Sequence, residues 1–123
     1  MNKVEKAIEN HKNHYPCSTA VLSAFAEEAG ISEQEALTIS RPMAGGRMGK
    51  CGAVLSAEYV IEKIYGDKAE EKKAEFEQRF IAMNQSVVCR ELKGIGTGKV
   101  LRSCRGCVTD AAQLLAEFCN ESE

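Results

Sequence analysis

No stretch of this chain alternates apolar and polar residues for more than three or four positions, while apolar residues recur at helical spacing in segment after segment. That asymmetry limits the fold more than any other feature, because a half-buried strand needs a period of 2 and an amphipathic helix one of about 3.6. Residues 2–13 carry Val4, Ala7, Ile8 and His11 as a thin stripe, and Pro16 blocks continuation. Cys17 and Ser18 open a helix expected to run through Ala29, with Cys17, Val21, Ala24, Phe25 and Glu28 along one side and Gly30 as its stop. Ser32 and Glu35 form a capping box for a short helix to about Ser40.

The stretch from Arg41 to Gly52, with Pro42 and several glycines, reads as a loop. Ala53, Val54, Ala57, Val60, Ile61 and Ile64 then give a helix ending at Gly66. Asp67 caps a fourth helix striped by Ala69, Phe76, Phe80 and Met83, its remaining Lys and Glu residues forming a solvated face. A short helix is expected over Gln85 to Leu92, and Gly94 to Gly98 reads as a flexible loop. Val108, Ala111, Ala112, Leu115 and Phe118 with Cys119 mark a closing helix. The expectation is an all-α, single-domain bundle of about five or six helices over residues 1–123.

A chain of this size buries a core without staples, so its six cysteines are not needed to hold a miniature fold together. The N-terminus has no apolar h-region or cleavage site, and no apolar run reaches the roughly 18 residues of a membrane span. The expected location is cytoplasmic, without membrane insertion. Thiols there stay reduced, so cysteines point to catalysis or metal rather than structural disulfides. A net charge of −2 argues against nucleic acid as the main partner.

Cys17, Cys51 and the Cys104/Cys107 pair fall at or just before expected helix N-termini. Those ends carry about half a positive charge, which favours the thiolate that serves as nucleophile or ligand. Lys50 beside Cys51, Arg90 beside Cys89, and Arg102 and Arg105 around Cys104 are expected to push the same way. The glycines from Gly45 to Gly52 allow close backbone approach to a thiolate or a cluster. Cys119 continues the apolar stripe of the last helix and reads as core, whereas local sequence leaves Cys89 open. His11 and His14 have ligand-like spacing but read as an exposed helix end. Gly94 to Lys99 and Gly49-Lys50 lack the offsets and the preceding strand of a phosphate loop.

Four segments occur in order: Pro16-Cys17-Ser18-Thr19-Ala20-Val21, Gly45-Gly46-Arg47-Met48-Gly49-Lys50-Cys51-Gly52-Ala53-Val54, Val88-Cys89-Arg90-Glu91-Leu92, and Cys104-x-x-Cys107-Val108-Thr109-Asp110. From about Tyr15 to Leu115 the chain resembles the small redox-active family named for one cysteine, a Cys-Gly-Ala-x-x-Gly segment and two later cysteines. Ser56 stands where that segment's last glycine belongs. The resemblance implies a helical fold and four functional cysteines, mapping onto Cys17, Cys51, Cys89 and Cys104. Cys104 is preferred to Cys107 for its spacing to Val108 and Asp110, and Cys107 is an additional thiol able to act as resolving partner or substitute ligand. Members are often encoded near transporter genes, which implies a transporter component as partner. A related domain in a multihaem cytochrome with an iron–sulfur site keeps a cluster among the expected cofactors.

Two chemistries stay open. Cys17, Cys51, Cys89, Cys104 and Cys107 could run thiol/disulfide exchange with a redox partner and no cofactor, pairing Cys17 with Cys51 or either with the Cys104/Cys107 region. Alternatively Cys17, Cys51, Cys89 and Cys104 hold an iron–sulfur cluster or zinc. A thiol-based sensor or transporter accessory is a third, non-enzymatic class.

Overall fold

The computed structural model describes residues 2–46 and 48–121. The architecture is all-α, as expected. The helices are α1 (Lys3–Lys12), α2 (Cys17–Ala24), α3 (Ala26–Ala29), α4 (Glu33–Ser40), α5 (Gly52–Tyr65), α6 (Ala69–Asn84), α7 (Cys89–Leu92) and α8 (Cys104–Glu121). Asn2 and Glu5 close a capping box on α1, and Ser32 and Glu35 form the expected one on α4.

Helix α2 is the axis of the bundle. Every residue from Ser18 to Ala24 is buried, and α1, α4, α5 and α8 pack around it. A helix enclosed on all sides must satisfy its polar side chains internally. Ser18 Oγ donates to the Ser40 carbonyl at 2.9 Å, and the Thr19 and Ser40 hydroxyls pair at 2.7 Å. On the far side α5, α6 and α8 enclose Phe76, Phe80 and Phe118, all fully buried, with Phe76 and Phe118 centroids 5.7 Å apart. Each such ring contributes about 1.5–3 kcal/mol through burial.

Four local expectations are corrected. The helix from Cys17 to Ala29 breaks at Phe25 (φ −109°, ψ 19°), dividing it into α2 and α3. Part of the expected loop from Arg41 is a 3₁₀ turn over Arg41–Gly46 that packs on α2, α4 and α5; Arg47 lies outside the described residues. The short helix near Gln85 is confined to Cys89–Leu92, because Gln85 takes a left-handed conformation (φ 73°) that ends α6. The closing helix starts one turn earlier than Val108, at Cys104.

The segment from Gly94 to Gly98 forms a closed turn. Gly98 N–H donates to the Gly94 carbonyl at 2.9 Å, and Leu101 N–H returns to the Leu92 carbonyl at 3.0 Å. Gly94 has φ +75°, and a Cβ there would lie 2.7 Å from the Lys99 carbonyl carbon, so the closure requires glycine. Among the described residues no helix is long and apolar enough to cross a membrane.

Candidate functional site: a cavity lined by thiols

Each site cysteine stands at the start of a helix. Cys17 is the first residue of α2, directly after Pro16. Cys51 immediately precedes α5, and Cys89 opens α7. These two segments are stitched together by an isolated antiparallel bridge between Lys50 and Val88. Cys51 N–H donates to the Val87 carbonyl at 2.8 Å, and Cys89 N–H to the Gly49 carbonyl at 3.0 Å. Cys104 is the first residue of α8, whose start is capped by the Ser103 hydroxyl accepting from Gly106 N–H at 3.0 Å. Cys107 follows one turn later on the same helix.

Five of the six cysteines line one cavity of about 230 Å³, together with His11, Pro16, Ala44 and Lys93. Cys104 is exposed, Cys17 and Cys89 are half-buried, and Cys51 and Cys107 are 2% and 0% exposed. Both members of the Cys104/Cys107 pair therefore face the same space. Cys119 packs half-buried against the core and lines a separate cavity beside Phe25 and Ala116. His14 is exposed and is absent from the thiol cavity, whereas His11 reaches its wall.

Cys17 stands beside Cys51, and Cys51 beside Cys107, near enough for each thiol to shift its neighbour's proton affinity. The Cys51 thiol stabilises charge on Cys107, so the Cys107 pKa lies below the ordinary thiol value despite its burial, with Lys93 adding to the effect. The contact with Cys107, together with burial, pushes Cys51 up to about 11. Its contact with Cys51, and then burial, drive Cys17 far above the ordinary value, and burial raises Cys89. The expectation that helix N-termini make Cys17 and Cys51 acidic, and that Arg90 does so for Cys89, is thus corrected. The Ser18 and Val54 backbone bonds do pull the first two downwards, but thiol–thiol contact and desolvation outweigh them.

The cations adjacent in sequence are engaged elsewhere. Lys50 pairs with Glu58 at 3.6 Å and with Glu77. Arg102 pairs with Asp110, Nε to Oδ2 at 3.0 Å. Arg105 Nε donates to His11 Nδ1 at 3.3 Å, and Arg90 stands near Gly96. The positive charge in the cavity comes from Lys93, whose Nζ lies 3.8 Å from Cys107 Sγ and which also acts on Cys104. Burial works against the Lys93 ammonium, yet Cys107 and Cys104 hold its pKa above the usual lysine value. Lys93 stands four residues after Cys89, with its N–H bonded to the Cys89 carbonyl at 3.0 Å, and i,i+4 spacing from that cysteine was the signal available in the sequence. Burial, Arg105 and Lys93 together lower the His11 pKa, favouring the neutral imidazole.

Soft thiol donors are the right chemistry for zinc or an iron–sulfur cluster. Among the described residues, however, no three Cys, His, Asp or Glu side chains stand together in a geometry able to hold a metal ion.

A helical bundle with thiols gathered at helix starts around one small cavity defines a class of cysteine-centred α-protein. Residues 15–118 match the family described as putative redox-active protein (C_GCAxxG_C_C), and the chain belongs to that family. Searches of curated proteins and of solved structures returned no match.

Proposed function

We propose that the protein is a thiol/disulfide redox protein in which Cys104 meets the substrate and Cys107 resolves the intermediate. The observation that carries this reading is the Cys104/Cys107 pair itself: an exposed thiol at a helix start, and one turn behind it a buried thiol held towards its thiolate by Cys51 and Lys93. Cys104 thiolate attacks one sulfur of a substrate disulfide, forming a mixed disulfide and releasing one substrate thiolate. Cys107 thiolate then attacks the Cys104 sulfur, forming the Cys104–Cys107 disulfide and releasing the second. Two electrons and the protons that follow them pass to the substrate sulfurs. Lys93 steadies the negative charge at both protein sulfurs, and the burial of Cys107 shields the resolving thiol from competing thiols.

The test is anaerobic purification, followed by absorbance, metal analysis and reaction with oxidised glutathione. A colourless, metal-free protein that gains a disulfide and loses two fast-alkylating thiols is expected. Stoichiometric iron with visible sulfur-to-iron bands would overturn the reading in favour of a cluster held by Cys17, Cys51, Cys89 and Cys104.

A further inference from the structure

Cys17 and Cys51 make and break no bond in that two-thiol reaction, yet they line the same cavity, Cys51 beside Cys107 and Cys17 beside Cys51. We propose that the cavity is an internal disulfide relay, in which oxidation entering at Cys104–Cys107 moves inward through Cys51 to a Cys17–Cys51 disulfide, freeing the outer pair for a second turnover. This rests on the dithiol reading above and extends it from a two-electron to a four-electron centre.

The geometry supplies the order. Cys104 is the exposed thiol of the cavity, whereas Cys17 is half-buried and Cys107 and Cys51 are 0% and 2% exposed, so an outside disulfide meets Cys104 first. The Cys17 sulfur is pressed against the start of α5, 2.8 Å from where a Cβ on Gly52 would stand, which holds it beside Cys51. Each step is an exchange between neighbouring sulfurs of one cavity. Cys51 thiolate attacks the Cys107 sulfur of the Cys104–Cys107 disulfide, the bond between those two breaks, and Cys104 leaves as thiolate. Cys17 thiolate then attacks the Cys51 sulfur, and Cys107 leaves. Two protons pass from Cys17 and Cys51 to Cys104 and Cys107, and no electron leaves the protein.

The direction follows from Lys93. A thiolate stabilised in the reduced pair makes that pair the stronger oxidant, so the disulfide flows away from it. Lys93 contacts Cys107 and Cys104, the outer pair, so the outer pair is the one returned to the reduced state.

The experiment is a stepwise oxidation of the reduced full chain with oxidised glutathione, acid quenching, alkylation and peptide mapping by mass spectrometry. After one equivalent, the expected disulfide is Cys17–Cys51, with Cys104 and Cys107 alkylated; after two, both pairs are closed. A disulfide that stays at Cys104–Cys107 while Cys17 and Cys51 remain alkylated overturns the relay and leaves the dithiol reading standing. In Cys104→Ser, an exposed position, Cys17–Cys51 should form about tenfold more slowly than in the parent, since entry through the fast thiol is lost. Formation at the parent rate means that the inner pair oxidises directly, which also overturns the relay. In Cys51→Ala, with folding checked by circular dichroism, the outer disulfide should form and persist. If no Cys104–Cys107 disulfide forms there, the dithiol reading itself fails.

Discussion

Gly52 and Cys17 meet where the starts of α5 and α2 cross, so closely that a Cβ on residue 52 would lie 2.8 Å from the Cys17 sulfur and 2.9 Å from the Met43 carbonyl oxygen. The glycine after the motif cysteine is therefore a spacing device, letting one thiol-bearing helix start approach another. Gly52 is buried at the first position of α5, where a small residue would otherwise be well tolerated.

Gly52→Ala is expected to destabilise the fold by about 1–3 kcal/mol, the usual cost of overpacking. It should also separate Cys17 from Cys51. Urea unfolding reads the first effect. The second appears as a slower Cys17–Cys51 disulfide while Cys104–Cys107 forms at the parent rate and persists longer, a split that general loosening of the fold would not produce.

Ser56 occupies the place of the family motif's final glycine, and its hydroxyl gives the substitution a purpose. It donates to the Ser18 carbonyl at 2.7 Å, in a fully buried position between α5 and α2. Ser56→Ala leaves that contact unmade and should cost about 1–3 kcal/mol in urea unfolding. Ser56→Gly loses the same bond and adds about 1 kcal/mol of helix propensity, so it should be the worse of the two despite restoring the motif. An unchanged midpoint in both variants would show that the bond contributes nothing net.

The all-α fold was legible because apolar spacing reports burial directly: Val54, Ala57, Val60 and Ile61 recur helically in the sequence and are fully buried in the bundle. The electrostatics of the cavity were not. Lys50, Arg90, Arg102 and Arg105 flank cysteines in sequence, but neighbours along a helix start diverge by about 100° per residue, a consequence of 3.6 residues per turn. Lys50 and Arg102 turn to carboxylates and Arg105 to His11, leaving Lys93, a full turn beyond Cys89, to face the sulfurs. Nor does sequence spacing reveal that Cys51 and Cys107, 56 positions apart, are in contact, because that depends on how α5 and α8 pack.

Glu58 makes the stability of the fold depend on pH. It is 8% exposed on α5, and burial together with its bond to Glu77 raises its pKa to about 8, while Lys50 opposes the shift. Its unfolded value is 4.5, so from about pH 4.5 upward the folded state holds a proton that the unfolded state has lost. Its contribution to stability should therefore fall as pH rises from there through about 8. Glu58→Gln keeps the hydrogen bond to Glu77 and removes the titration. Urea midpoints across this range should decline less steeply in the variant, with the gap in its favour widest at alkaline pH. Parallel profiles would show that Glu58 ionises normally in the fold.

Lys93 is the residue whose removal should change the chemistry while leaving the thiols in place. It is half-buried, and its ammonium favours the charged form of Cys107 beside it. In Lys93→Met the aliphatic stem still fills the cavity wall, but Cys107 should titrate at higher pH, because a charge-stabilising neighbour is gone. The ultraviolet absorbance of the thiolates, followed against pH in Cys104→Ser and in the double variant, reads that change as a shift in the step of Cys107, the one site thiol held below the ordinary value. Lys93→Arg should largely restore the parent titration, since the charge returns, whereas a purely packing role for Lys93 would be restored by Met instead. The disulfide should respond in step. With its stabilised thiolate lost, the outer pair becomes a weaker oxidant, and after one equivalent of oxidised glutathione more disulfide should remain at Cys104–Cys107 than in the parent. A Lys93→Met protein with the parent's titration and the parent's disulfide distribution would show that the charge beside Cys107 has no part in its chemistry.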